Sequence, residues 1–416
     1  MKVTPFGQQI DALRRSIESE LTDRLLPFWR QYAYDDALGR FRGGLATDLS
    51  EKPQAPFSVV YVSRLLWSFS AAYIRYSLDE DRELAKKAFH FLKARFMDES
   101  YGGAYWLLDA DGGVLDDRKK VYGQAFLIYG LVEYHEASGS EEALRLAISL
   151  YRVIEVHFRD SQYDGYMELT SRNWAEVGDM RLSKLDPNEK KSMNAHLHIM
   201  EAYTRLLSVW PDTDLKKRLK ALVNIHIDHI LDSDTGHFHL FFAEDWTHKG
   251  CEVSLGHDIE GSWLLRRAGE ILCEPELSQR IEHTAQKLVE STHGNGLDSS
   301  GALWNGLECD GTPDKQRIWW VQAEAMIGFL YAWRMEEKPE YLETAQSVWQ
   351  YTSEHVFDRI NGEWHWALDE LEKPLMSYDK ISEWKGPYHN VRACLESLEL
   401  LTIATQKEEI AHEASE

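Results

Sequence analysis

Three histidines stand at or near positions where a helix should begin. Imidazole is the side chain whose unperturbed pKa, about 6.5, lets it give or take a proton near neutrality. His257 lies in Ser254-Leu-Gly-His-Asp-Ile-Glu260-Gly-Ser-Trp263, His389 in Trp384-Lys-Gly-Pro-Tyr-His-Asn390, and His198 in Lys191-Ser-Met-Asn194-Ala-His-Leu-His198. One such histidine is more often a satisfied structural group than a catalyst. Three of them, each near unpaired helix N–H groups that favour negative charge, point to general acid and base catalysis at a shared centre.

Other residue types fit the same centre. Arg64 is a cation inside the apolar run Val-Val-Tyr-Val-Ser-Arg-Leu-Leu-Trp, so it either pairs with a carboxylate or holds a substrate oxygen. Helical spacing puts Glu201 beside His198, with Ser192 or Asn194 as the cap, while His196 faces elsewhere. Trp319 and Trp320 must point in different directions, one into the core and one into a cavity. Tyr122 suits either place. Metal binding is not expected: His196 and His198 are two apart where a helical zinc pair needs four, and His237 and His239 read as structural hairpin residues.

Something must bring these residues together, because 191 positions separate His198 from His389. An Asp followed by Gly and aromatic residues recurs at Asp36, Asp98, Asp160, Asp232, Asp298 and Asp358, spaced by 62, 62, 72, 66 and 60 residues. Between these turns run helical patterns such as Leu65, Phe69, Ala72, Tyr73 and Tyr76. Each period holds two helices and a short aromatic hairpin, and six such units predict an all-α protein, an (α/α)6 barrel of inner and outer helix rings. No linker interrupts the pattern, so residues 1–405 read as one barrel domain, followed by a charged tail over 406–416 that frays.

The composition narrows the class. A net charge of −23 repels nucleic-acid backbones and anionic membranes, and no run of about 18 apolar residues could cross a bilayer. With no apolar segment near its start, the chain is expected in the cytoplasm, as a monomer acting on a small molecule. Cys251, Cys273, Cys309 and Cys394 form no CxxC pair and read as reduced, mostly buried thiols. The 15 Trp and 19 Tyr exceed what core filling tends to use and suit a sugar-binding cleft.

At these motifs the chain resembles the N-acylglucosamine 2-epimerase superfamily, from about Phe28 to Leu400, and most closely the branch acting on β-1,4-linked disaccharides. The carrying segments are Lys191-Ser-Met-Asn-Ala-His-Leu-His, Gly256-His-Asp-Ile-Glu-Gly-Ser-Trp, Trp319-Trp-Val-Gln-Ala-Glu-Ala and Trp384-Lys-Gly-Pro-Tyr-His-Asn. Two positions depart from the family pattern: Gly386 where cysteine is common, and Leu45 where phenylalanine is. The resemblance implies that His257 and His389 are the acid/base pair at C2 of the sugar, and that His198 and Arg64 assist ring opening and hold O1. It implies that Asn194, Glu260, Tyr122, Trp320 and Trp384 shape the sugar site, and that Ser183 and Asp186 reach a second ring.

The implied chemistry is coherent. The C2 hydrogen becomes removable only when the ring opens to an aldehyde, because the anion then spreads onto O1 as an enediolate. Inversion needs an acid and a base, and no redox cofactor or metal. Alternatives are a mannose/glucose 2-epimerase for free monosaccharides, an aldose–ketose isomerase, an inverting glycoside hydrolase on the same fold with two carboxyl groups about 6.5–9.5 Å apart, or a helical-repeat interaction protein.

Overall fold

The computed structural model describes residues 5–413, with side chains over 7–404. The first outer helix, α1 (Pro5–Glu20), runs through a π-turn into α2 (Leu26–Tyr32). The other outer helices are α4 (Asp79–Phe91), α6 (Glu141–His157), α8 (Thr213–Ile225), α10 (Pro275–Asn295) and α12 (Pro339–Tyr351). They alternate with inner helices α3 (Val59–Tyr76), α5 (Val121–Ser138), α7 (Met193–Val209), α9 (Leu255–Leu272), α11 (Trp319–Glu336) and α13 (Tyr388–Glu413). Each inner helix packs on the next and α13 returns to α3, closing the (α/α)6 barrel. The division follows the residues. Helices α5 and α11 are apolar on every side and buried throughout their first fourteen or so residues, whereas α6 and α8 keep one polar face for solvent.

All six inner helices begin at the same mouth, and the recurrent aspartates explain how. In the turns after α4, α6, α10 and α12, Oδ1 of Asp98, Asp160, Asp298 and Asp358 accepts backbone N–H groups two or three residues on. The second carboxylate oxygen then meets a buried cation: Lys119 for Asp98, Lys191 for Asp160, Arg317 for Asp298 and Lys380 for Asp358. The first three cations stand two residues before α5, α7 and α11, so each turn anchors the start of its own inner helix. The fourth residue of these helices grips the same hairpin backbone. Gln124 binds Ala104, His196 accepts from Tyr166 N, Asp258 accepts from Phe238 N, and Gln322 binds Leu303. His196 is thereby structural, and so is His237, whose Nδ1 sits 2.8 Å from Asp258 Oδ2.

Two-residue strands stitch the repeats together around the mouth. The strand before α3 (Phe57–Ser58) pairs with the next hairpin at Leu107–Leu108, and the same pairing recurs before α5, α7, α9 and α11. A bridge between Leu45 and Ile381 closes the circle from the last repeat to the first. Two details differ from the sequence reading. Cys251 and Cys309 form a disulfide, because the strands Val253–Ser254 and Gly306–Leu307 pair antiparallel and bring exposed cysteines 58 positions apart face to face; Cys273 is exposed and Cys394 buried. Helix α13 continues to Glu413, so of the tail expected to fray, 414–416 lie outside the described residues. No described helix is long and apolar enough to cross a membrane.

Lys191 carries the heaviest anchoring load: its buried Nζ donates to Asp160 Oδ2 and to the carbonyls of Asp164 and Glu244. Lys191→Met leaves a buried carboxylate and two carbonyls without their cation. We expect it to lower unfolding free energy by about 3–5 kcal/mol in urea titrations; a loss under 1 kcal/mol would show that the turn does not depend on the ion pair.

Candidate active site

Of the side chains singled out in the sequence, Arg64, Tyr122, Asn194, His198, His257, Glu260, Trp320 and His389 occupy the first two turns of the inner helices. Counted from each helix start, the second residue is Tyr122 in α5, Asn194 in α7, Trp320 in α11 and His389 in α13, and His257 is third in α9. The sixth residues of α3, α5, α7, α9 and α11 form a deeper layer: Arg64, Phe126, His198, Glu260 and Glu324. One turn of helix separates the layers, so residues far apart in the chain line one cavity.

Ring contacts join the histidines. Trp320 lies 4.8 Å from the His257 ring and 5.6 Å from that of His389, centroid to centroid, while Trp319 is buried behind it. Gly256 makes room for this indole, since a Cβ there would come within 2.6 Å of the Trp320 ring. Across the cavity Tyr122 and Phe126 meet His198 at 5.0 and 4.7 Å. Arg64 pairs with no carboxylate: it donates to Trp384 O at 2.6 Å and Tyr122 Oη at 3.2 Å, with its guanidinium 4.6 Å from the Phe126 centroid. Gly386 packs against Tyr61 and this arginine: a Cβ there would lie 3.3 Å from Tyr61 Cδ2 and 3.5 Å from Arg64 Cβ.

Each histidine is held through Nδ1, and no hydrogen bond engages Nε2. His198 Nδ1 lies 2.9 Å from Glu201 Oε2, His257 Nδ1 2.7 Å from Ser254 Oγ, and His389 Nδ1 2.7 Å from Glu324 Oε1. Opposite a carboxylate, Nδ1 carries the hydrogen and Nε2 is the basic nitrogen. Burial, with the charge of His198 nearby, pushes His257 down to about 3. Burial likewise holds His389 well below the usual imidazole range, reinforced by Arg64, Arg392, His198 and His257. That mutual influence places the three imidazoles within electrostatic reach of one another.

Beneath them lies Arg392, fully buried, which the sequence reading passed over. It donates to Glu201 and to Tyr388 Oη, and at 2.6 Å to both Glu260 Oε1 and Glu324 Oε1. Burial raises Glu201, but Arg392, His198 and Tyr388 outweigh it and leave a carboxylate. Glu260 goes the other way: burial and the neighbouring Glu324 raise it to about 7 against the pull of Arg392, and its Oε2 has no partner. Glu260, Glu324 and His389 each offer a ligand atom within 4.8 Å of the others, a spacing that could hold a metal ion, and Oε1 of both carboxylates accepts from Arg392. The other such trio, Cys251, Glu252 and Cys309, has both sulfurs in the disulfide.

Asn194 Oδ1 is buried and unpartnered, free for a hydroxyl. Trp384 stands at the rim against Trp106, at 5.6 Å. Ser183 and Asp186 are not among the converging residues: they fold on each other in the segment 171–190, where Asp186 Oδ2 accepts from Ser183 N at 2.8 Å. Lys120 ties that segment to the rim, donating to Leu182 O while lying 4.1 Å from the Trp106 ring centroid. Trp106 and Lys120 were missed as well, although each sits at a repeat position whose neighbours were recognised. A cavity of about 540 Å³ opens at the opposite end of the barrel, lined by Trp67, Tyr129, Trp263, Glu133 and Arg267, with Glu201 at the shared floor.

Imidazoles with an open Nε2 beside indole rings, at the mouth of a helical barrel, can pass protons to and from a sugar. The family model described as N-acylglucosamine 2-epimerase (GlcNAc 2-epimerase) matches residues 41–393. The chain belongs to that family. It is 38% identical to the cellobiose 2-epimerase of Bacteroides fragilis over 388 residues, covering 93% of this chain and 99% of that protein. The solved cellobiose 2-epimerase of Bacillus thermoamylovorans B4167 superposes with a TM-score of 0.90 at 33% identity, covering 94% of this chain and 99% of the other. A D-mannose isomerase of Marinomonas mediterranea is 26% identical, over 83% of this chain and 87% of its own length.

Because its folded pKa is depressed, His257 should stay neutral through the range where free imidazole gains a proton. With ¹³C-labelled histidine, and the signal assigned by its loss in His257→Asn, neutral-ring shifts are expected from pH 8 down to about 5. A midpoint near 6.5 would show a ring open to water.

Proposed function

We propose that the protein reversibly inverts C2 of the reducing-end glucose of a β-1,4-linked disaccharide, converting cellobiose to glucosyl-mannose and lactose to epilactose. The observation that carries this reading is the convergence of His198, His257 and His389, each held through Nδ1, under Trp320 and Arg64. Similarity to proteins named cellobiose 2-epimerase supports the substrate class.

In this scheme His198 moves the proton between O5 and O1 that opens the ring, and Arg64 holds O1. One of His257 and His389, neutral and basic at Nε2, removes the C2 proton. The electrons pass to O1, giving an enediolate next to Arg64 and a mouth of helix N-termini, all of which favour negative charge. The same histidine, now an imidazolium, returns the proton to the opposite face of C2 after the intermediate turns; in the two-histidine version the other ring enters the step protonated at Nε2 and the base afterwards gives its proton to solvent. Asn194, Glu260, Tyr122 and Trp384 shape the pocket for the reacting ring. Ser183 and Asp186, at the rim beyond Trp106, meet the second ring. Every step is a proton transfer, so the scheme needs no metal or redox cofactor and no macromolecular partner. We assign the work to residues 1–405 as one catalytic domain, acting as a cytoplasmic monomer.

Incubation with cellobiose in heavy water tests the reaction. The expected result is glucosyl-mannose carrying deuterium at C2. A ketose as main product, or cleavage to glucose, would replace the reading with isomerisation or hydrolysis. His257→Asn and His389→Asn should each lower epimerisation about 10²–10⁴-fold, and one should still exchange the C2 hydrogen of a single epimer. Near wild-type epimerisation by either variant would make its histidine structural.

The second-ring assignment is tested separately. Asp186→Ala should raise KM for cellobiose about 3–10-fold with kcat little changed, the size of one lost hydrogen bond. An equal effect on free mannose would move Asp186 out of the second-ring site.

A further inference from the structure

The cystine lies on the path that orients His257. Cys251 and Cys309 are both exposed, with Cα atoms 4.9 Å apart. Their strands share two rungs, Val253 with Leu307 and Ser254 with Gly306, and the cysteines face each other two positions further out, at the open end of this short ladder. At its inner end Ser254 is the residue before α9, and its Oγ holds Nδ1 of His257 at 2.7 Å. The ladder is tight: a Cβ on Gly306 would come within 2.2 Å of Val253 O. The covalent link adds to the hold of these two rungs. Unlike the strands before α5, α7 and α11, this one has no buried Lys or Arg two residues ahead of its helix; Val253 stands where they have Lys119, Lys191 and Arg317.

We propose that Cys251–Cys309 is a redox modification site whose substrate is a dithiol reductant, and that its state sets how firmly His257 is positioned for proton transfer. Exposed disulfides are the ones open to exchange. A thiolate of the dithiol attacks one cysteine sulfur, the Cys251–Cys309 bond breaks, and a mixed disulfide forms. The second thiol of the reductant displaces the enzyme, leaving a cyclic disulfide. Two electrons pass to the cystine, and two protons end on Cys251 and Cys309. The ladder then keeps its two rungs without its clamp, and Ser254 is free to shift away from His257. Cys251 and Cys309 act through Ser254 and are positioning residues; neither touches substrate.

This inference rests on the reading of His257 as a proton-transfer residue, and its test separates the two. The full chain, purified without reductant, should show two reactive thiols in denaturant, from Cys273 and Cys394, and four after treatment with dithiothreitol. Reduction should lower kcat for cellobiose by about 10-fold, in line with the cost of misplacing a catalytic group, while KM stays within about 2-fold. Reoxidation should restore kcat. A double variant, Cys251→Ser with Cys309→Ser, should match the reduced enzyme and ignore dithiothreitol. Four thiols in the untreated protein, or equal kcat in the oxidised and reduced enzyme, would overturn the proposal. Full activity of His257→Asn in both redox states would instead remove the catalytic reading of His257, and the proposal with it. A kcat response to dithiothreitol confined to the wild type, with His257→Asn inactive throughout, supports both.

Discussion

The structure turns on one buried guanidinium. Arg392 of α13 reaches carboxylates on α7, α9 and α11, so four of the six inner helices meet through it at the depth of the sugar site. Three buried carboxyl groups cannot all be ionised beside one cation without a heavy cost in desolvation and mutual repulsion. The protein divides the charge: Glu201 stays a carboxylate, while Glu260 holds its proton to about pH 7. The two carboxylates that orient histidines, Glu201 and Glu324, both belong to this cluster, so the tautomers of His198 and His389 are set from the floor and not from the solvent side. Without Arg392 the inner helices would face one another across like charges, and the imidazoles would lose their reference.

The parallel arrangement of the inner helices supplies the second constraint. Their N-termini converge on the sugar site and their C-termini on the far cavity, so the barrel has a positive and a negative end. At the positive end, burial first and then the charges of Arg64 and Arg392 make an extra proton on His389 unfavourable. The same field that keeps the imidazole in its basic form also favours an oxyanion.

Much of this was legible in the chain. Four of the six aspartate turns, at Asp98, Asp160, Asp298 and Asp358, recur because each accepts backbone N–H groups and meets a cation, a double demand that keeps Asp with Gly and aromatic residues in those periods. The histidines were visible because polar residues crowd at helix starts. Pairing of His198 with Glu201 followed from helical spacing, and the division between Trp319 and Trp320 from their adjacency. Arg392 was not legible, since its partners lie 68, 132 and 191 positions away and it looks like one more residue of a final helix. Aligning the six helix starts would have exposed the layer of sixth residues to which Glu260 and Glu324 belong. The pairing of Cys251 with Cys309 left no trace either, because two-residue strands are too short to show alternation. Arg64 was read as paired or substrate-binding; its hydrogen-bond partners are a carbonyl and a phenol, and among the described residues no carboxylate lies within ion-pair distance of it.

The separation between helix-borne and loop-borne residues has a consequence for how such a protein can change. The histidines we propose as proton carriers are fixed to the first two turns of the ring, whose geometry is set by buried ion pairs. The segment 171–190, by contrast, hangs from the rim by contacts such as that of Lys120 with Leu182 O. Lengthening, shortening or exchanging that segment would leave the acid and base untouched. Under the proposed function, reaction and appetite are thus separately heritable: one scaffold can keep a single transformation while drifting among sugars of different length.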